Sequence, residues 1–321
     1  MIAAPTTAEC MRYGGGWGTC VARPAPPPAW DATATQASLS LWIKASQWAF
    51  AATFGGVQVV NEWDDIPSNG DSYFEPIGGS AAIGPQWIPD DGTGKPCVRF
   101  RGNSGEGLRL VVGDVAPNLR IAANDDTFHV ADRVLTLAMV AKVPLGGTNG
   151  AAIAGYYSPT QGAANIGVLQ GYGWHTHPTD AYANPPVFTA YPGAGAADHF
   201  IASAPTALRG GTRVLYVGDV VFHRYDTGGG VYDINISLEH TESPGVSGGV
   251  SSGSYNPWAS DSGKKGGIVY PASGGNFFLG GPGRTNALFA TVDLYEVWLW
   301  DGALTDTEMG LLISYVAHTY P

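Results

Sequence analysis

The chain has 321 residues, 44% of them hydrophobic and only 13% charged, with 46 glycines, 23 prolines and a formal net charge of −11. That composition describes many short strands joined by tight turns rather than a helical protein, and the length suffices to bury one large core. The acidic balance excludes a binder of phosphate backbones, which needs a basic stripe, and no run reaches the roughly eighteen apolar residues of a membrane-spanning helix.

Taken in chain order, residues 1–37 read as an arm. GGGWG (14–18) and RPAPPPAW (23–30) favour extended, polyproline-like backbone that makes no core of its own. Residues 38–321 read as one domain. Strands are predicted at 97–102, 108–112, 151–157, 165–171, 187–191 and 213–221, each bounded by Gly, Pro or Asn turn signals. In LTLAMVAKV, Leu135, Leu137, Met139, Ala141 and Val143 alternate, and Ile234, Ile236 and Leu238 alternate against Asp233, Asn235, Ser237 and Glu239. Period two with one wet face means antiparallel sheet, and ten or more strands favour two stacked layers. Residues 171–187, 192–212 and 242–275 read as long polar loops.

The end of the chain is its most informative stretch. NFFLGG (276–281) and FATVDLYEVWLW (289–300) are strand-like, and DGAL (301–304) turns into TDTE, where Thr305 and Glu308 form a capping box that starts a helix. Met309, Leu312, Ile313, Val316 and Tyr320 make one apolar stripe, for which the preceding sheet is the nearest cover.

These closing segments resemble the C-terminal signature of laminin-G-like domains in the concanavalin A-like lectin and glucanase superfamily. LSLWIKAS (39–46), VVNEWDD (59–65) and GKPCVRFRG (94–102) resemble the opening segments of the subgroup common in bacteriophage and bacterial surface proteins. Thr291-Val292 departs from the Gly-Ile usual at that place. The resemblance spans roughly 38–321 and implies an all-β, antiparallel jelly-roll β-sandwich with a short C-terminal helix. It also implies a virion surface protein, made in the host cytoplasm and displayed in several copies, whose loops bind host envelope polysaccharide; the arm then docks on other virion proteins, or is a loose tail or a wrap around the sandwich. A purely structural decoration or adaptor subunit is the alternative. In many members an Asp of the late strand helps hold a structural calcium; Asp293 is the matching residue here.

Candidate contacts follow from residue type. Tyr172, Trp174 and Tyr182 with His175, His177 and Asp180 lie in GYGWHTHPTDAY, and Tyr255, Asn256 and Trp258 lie in SYNPW. Aromatic faces with planar polar groups suit sugars, so these residues are expected to form a glycan site. His175 and His177 would point the same way in extended chain, with Asp180 as a third metal ligand. Cys10, Cys20 and Cys97 are either three free thiols or a Cys10–Cys20 loop with Cys97 left over.

The sequence reading expects no enzyme and keeps a glycoside hydrolase as the less favoured alternative. The glucanase pattern Glu-x-Asp-x-x-Glu is met only by Glu62 and Asp64, with Pro67 in the third place, and Glu239 with Glu242 falls at a strand end. Gly245-Val246-Ser247-Gly248-Gly249 lies in loop sequence rather than on a strand-to-helix elbow, and GTGKP (92–96) lacks the phosphate-loop spacing.

Overall fold

The computed structural model describes residues 30–47, 49–54, 56–67, 72–77, 84–102, 106–111, 133–144, 151–158, 170–176, 186–191, 200–203, 213–225, 231–241, 251–254, 276–281 and 289–320. In chain order the strands are β1 (Ser38–Lys44), β2 (Ala49–Phe54), β3 (Val57–Asp64), β4 (Tyr73–Pro76), β5 (Gln86–Ile88), β6 (Cys97–Arg101), β7 (Leu108–Val111), β8 (Arg133–Lys142) and β9 (Ala152–Ser158). They continue with β10 (Gln170–His175), β11 (Val187–Tyr191), β12 (Phe200–Ser203), β13 (Val214–Tyr225), β14 (Val231–Thr241), β15 (Ser251–Ser254), β16 (Asn276–Leu279) and β17 (Thr291–Asp301), and the helix α1 (Asp306–Thr319) closes the described chain.

All pairings between these strands are antiparallel. They trace one nearly closed sheet folded into two layers. The first layer runs β15-β14-β13-β8-β17, with β17 then flanked by β1 along one half and β6 along the other. The second runs β12-β11-β10-β9-β16-β7-β4-β3-β2, and β5 joins β3 to β6 between the layers.

One core fills the space between. Leu41, Phe100, Leu137, Met139, Tyr216, Leu294, Val297 and Leu299 enter it from the first layer, and Trp63, Phe74, Leu110, Ile153, Tyr172, Trp174, Phe188 and Phe277 from the second. Gly280 shows why the LGG end of β16 tolerates no side chain. Its φ is +67°, and a Cβ there would lie 2.0 Å from the Phe100 ring.

The first layer is covered on its outer side as well. Residues 292–300 of β17 are all buried, because the strand packs inward on the core and outward beneath α1. The expected capping box is present: Thr305 accepts from the Glu308 backbone N–H, and Glu308 accepts from that of Thr305. Met309, Leu312, Val316 and Tyr320 are buried against Tyr295, Trp298 and Trp300, with Ile313 partly buried beside them. Residues 30–37, assigned to the arm by composition, belong to this cover. Trp30 packs edge-on to Trp300 at 6.3 Å, and Ala32 accepts from the Trp300 indole.

Glu296 pins the helix. It is fully buried on the outer face of β17, where it accepts from Trp42 Nε1 at 2.7 Å, from Tyr320 Oη at 2.6 Å and from Tyr315 Oη at 3.0 Å, with Lys44 Nζ at 3.8 Å. Burial raises its carboxyl above the usual range, against the opposing pull of Lys44 and the three donors.

The expectation of an all-β chain closed by a capped helix holds. The loop expectations need correction. Segment 171–187 begins as strand β10, and β12 and β15 lie within the stretches 192–212 and 242–275. Strands β4 and β5 are too short for a clean alternation in sequence, and an irregularity in the β2–β3 register breaks the alternation of β3.

Candidate functional site

With α1 and residues 30–37 on the first layer, the outer face of the second layer carries no helix among the described residues. The core-facing residues identify that face by alternation. Trp63 on β3, Phe74 on β4, Leu108 and Leu110 on β7, Phe277 and Leu279 on β16, Ala154 on β9 and Trp174 on β10 all enter the core. Their neighbours Glu62, Asp64, Tyr73, Glu75, Arg109, Asn276, Phe278, Gly155 and Gly173 therefore stand on the outer side.

The register assembles a row across this face. Arg109 stands opposite Glu75 and, on its other side, opposite Phe278; Phe278 stands opposite Gly155, Gly155 opposite Gly173, and Gly173 opposite position 189. Positions 276, 157, 171 and 191 form the next rung. Arg109 donates to Glu75 at 3.0 and 2.7 Å, with side-chain exposures of 47% and 27%. Phe278 is half-buried, its ring against Ala152. One aromatic side chain, one accessible ion pair and two paired, buried glycines thus lie side by side.

At one end of the face, Glu62 and Asp64 project from β3 two residues apart and share a hydrogen bond. Burial, then the charge of Glu62 and that hydrogen bond, push the Asp64 carboxyl up to about 6. Next to it Asp65 serves the fold, accepting from the Trp42 backbone N–H at 2.9 Å and donating its own N–H to Ser72. The sign of the Asp64 effect is definite. A carboxyl whose folded value lies above its unfolded value destabilises the fold as pH rises between the two, and the cost is complete above the higher one. In metal-free buffer, Asp64→Asn should match the wild type at pH 4 and exceed its stability by about 3 kcal/mol at pH 8. Urea denaturation at both pH values checks this, and equal gains at the two would refute it.

The structure disposes of several expected contacts. Tyr172 and Trp174 are 0% exposed and point into the core from β10, and His175 is 1% exposed at the end of the same strand. They belong to no loop. The alternation Gly171-Tyr172-Gly173-Trp174 puts the small residues outside and the rings inside, so the expected sugar platform is core. Trp174 packs on Phe188 at 5.2 Å and Tyr216 at 5.3 Å and donates to the Leu137 carbonyl at 3.3 Å. With His175 held there, the expected His175, His177 and Asp180 set has lost its exposed first ligand. His177, Asp180, Tyr182, Tyr255, Asn256 and Trp258 lie outside the described residues, as do Cys10 and Cys20.

Asp293 stands opposite Arg99 on β6 and accepts from it with both oxygens, at 2.7 and 2.9 Å. This bidentate pair occupies the carboxylate matched to a calcium ligand. Cys97 is fully buried on β6, and burial first of all pushes its thiol up to about 12.

The outer-face residues were missed in sequence, although a signal exists. Leu108-Arg109-Leu110 and Phe74-Glu75-Pro76 each set a charge between apolar neighbours, which is how a half-wet strand reads.

No protein-family profile and no curated protein sequence matches the chain. Solved structures do. An arabinofuranosidase complexed with arabinofuranosyl-alpha-1,2-xylobiose is 14% identical, with a TM-score of 0.48, over 88% of this chain and 63% of its own. A sialidase of Trypanosoma rangeli in complex with sialic acid is 14% identical, with a TM-score of 0.42, over 85% of this chain and 32% of its own. Domain 4 of AbnA, a GH43 extracellular arabinanase from Geobacillus stearothermophilus in complex with arabinotriose, is 13% identical, with a TM-score of 0.38, over 86% of this chain and 98% of its own. The chain thus spans less than two thirds of the arabinofuranosidase and about a third of the sialidase. These are carbohydrate-active proteins. That corrects one reading: with glycoside hydrolases among the similar structures, the expectation of no enzyme drawn from sequence does not stand.

Proposed function

We propose that this chain is a carbohydrate-binding domain of the concanavalin A-like jelly-roll type, engaging glycan on the outer face of its second layer. The observation that supports this most is the row Glu75, Arg109, Phe278, Gly155 and Gly173 across four neighbouring elements and β4. The half-buried aromatic ring suits sugar C–H groups, and the accessible Arg–Glu pair offers planar donors and acceptors to hydroxyls.

Affinity electrophoresis through gels containing arabinan, xylan, sialylated glycan or bacterial envelope polysaccharide tests it. Retardation in at least one gel is expected, reduced about tenfold or more in Phe278→Ala and Arg109→Ala while thermal midpoints move by only a few degrees. Retardation equal in both variants and wild type would remove the face from consideration. Release of reducing ends in the same mixtures reports whether a bound glycan is also cut.

The setting of this activity is drawn from sequence. We read the chain as a bacteriophage particle-surface protein displayed in several copies, so that individually weak glycan sites act together on a host envelope. The Pro-rich segment before residue 30 would anchor it to other particle proteins. Deleting residues 1–29 should abolish incorporation into particles and leave glycan retardation intact.

A further inference from the structure

Four carboxylates among the described residues pair with cations. Glu75 meets Arg109, Glu106 meets Arg101, Asp293 meets Arg99 and Glu296 meets Lys44, at 2.7, 2.6, 2.7 and 3.8 Å. Glu62 and Asp64 differ in that they neighbour each other and one of their oxygens is buried without a partner. They project from the same side of β3, and among the described residues no Lys, Arg or His pairs with either. Asp64 is only 5% exposed, and its Oδ1 is buried without a hydrogen-bond donor among the described residues. A carboxylate oxygen held out of water without a donor is costly, and the cost doubles as a binding opportunity for a cation.

We propose that Glu62 and Asp64 form a divalent-cation site of calcium type at the edge of the second layer's outer face. The donor set is oxygen only, which selects a hard cation. Calcium suits it better than magnesium. Calcium tolerates irregular coordination and completes its shell with water from the side that half-exposed Glu62 leaves open, whereas magnesium gives up its water reluctantly beside so buried an oxygen as Asp64 Oδ1. Two carboxylates with water in the remaining positions place the affinity in the range of extracellular modules, about 10⁻⁴–10⁻³ M. The site lies on β3, away from Asp293, and stands independently of the glycan reading.

The test uses the full chain freed of metal with EDTA and then melted across a calcium chloride series to 20 mM, with magnesium chloride as a parallel series. The thermal midpoint should rise by on the order of 5 °C with calcium, less with magnesium, and return when EDTA is restored. Asp64→Asn and the more exposed Glu62→Gln should each abolish the response. Terbium luminescence, quenched by added calcium in the wild type and weak in both variants, gives a reading independent of stability. A wild type whose midpoint ignores calcium to 20 mM would overturn the proposal, leaving a proton-sharing pair. So would variants that respond as the wild type does.

Discussion

Replacing Trp174 with alanine should destabilise the protein by about 3–5 kcal/mol, the cost of emptying a large, fully buried aromatic site. The indole bridges the layers. It leaves β10 in the second, packs on Phe188 from its own layer and on Tyr216 from the first, and donates to the backbone of β8. Its removal therefore loses area, two ring contacts and a hydrogen bond at once, and orphans the Leu137 carbonyl of its indole donor. Trp174→Phe should cost roughly half as much, since a smaller ring still fills part of the space. Urea denaturation followed by tyrosine and tryptophan fluorescence measures both. An alanine variant as stable as the wild type but weakened in sugar binding would return Trp174 to the role its residue type suggested.

The second large effect belongs to Glu296. Its carboxylate collects Trp42 from β1 and Tyr315 and Tyr320 from α1 and its C-cap, so one side chain ties two segments to the outer face of β17. Glu296→Ala should cost about 3–5 kcal/mol, because Trp42, Tyr315, Tyr320 and the Lys44 ammonium then lose a shared acceptor in a buried place. Glu296→Gln should cost less, retaining one acceptor oxygen while setting an amide donor against hydroxyl donors. Hydrogen exchange should report the loss first in α1, whose cover of Trp298 and Trp300 depends on this clamp. Unchanged exchange across 306–319 in the alanine variant would show that apolar packing alone holds the helix.

What the sequence made legible follows a physical line. The capping box at Thr305 and Glu308 and the stripe from Met309 to Tyr320 are local, and both stand in the structure as read. The strands around Leu135–Val143 and Ile234–Leu238 announce themselves by alternation over nine or five residues, enough to reveal their period. The segment Gly171–His175 shows the same period in five residues, but polar and glycine-rich surroundings make it look like loop, so rings that build the core passed for a binding platform. The outer-face row was the least legible. Glu75, Arg109, Gly155, Gly173 and Phe278 come from five separate segments, and only strand register makes them neighbours. Asp293 teaches the same lesson. Its partner Arg99 lies 194 residues away, beyond any motif.

Hydrogen–deuterium exchange, with and without a polysaccharide that retards the protein in gels, tests the glycan face most directly. At saturating polysaccharide, amides of β4, β7 and β16, residues 73–76, 108–111 and 276–279, should gain protection while α1 and β17 stay unchanged. Protection confined to α1, β17 or residues 30–37, or no gain anywhere on the second layer under saturating conditions, would contradict the assignment of glycan binding to that face.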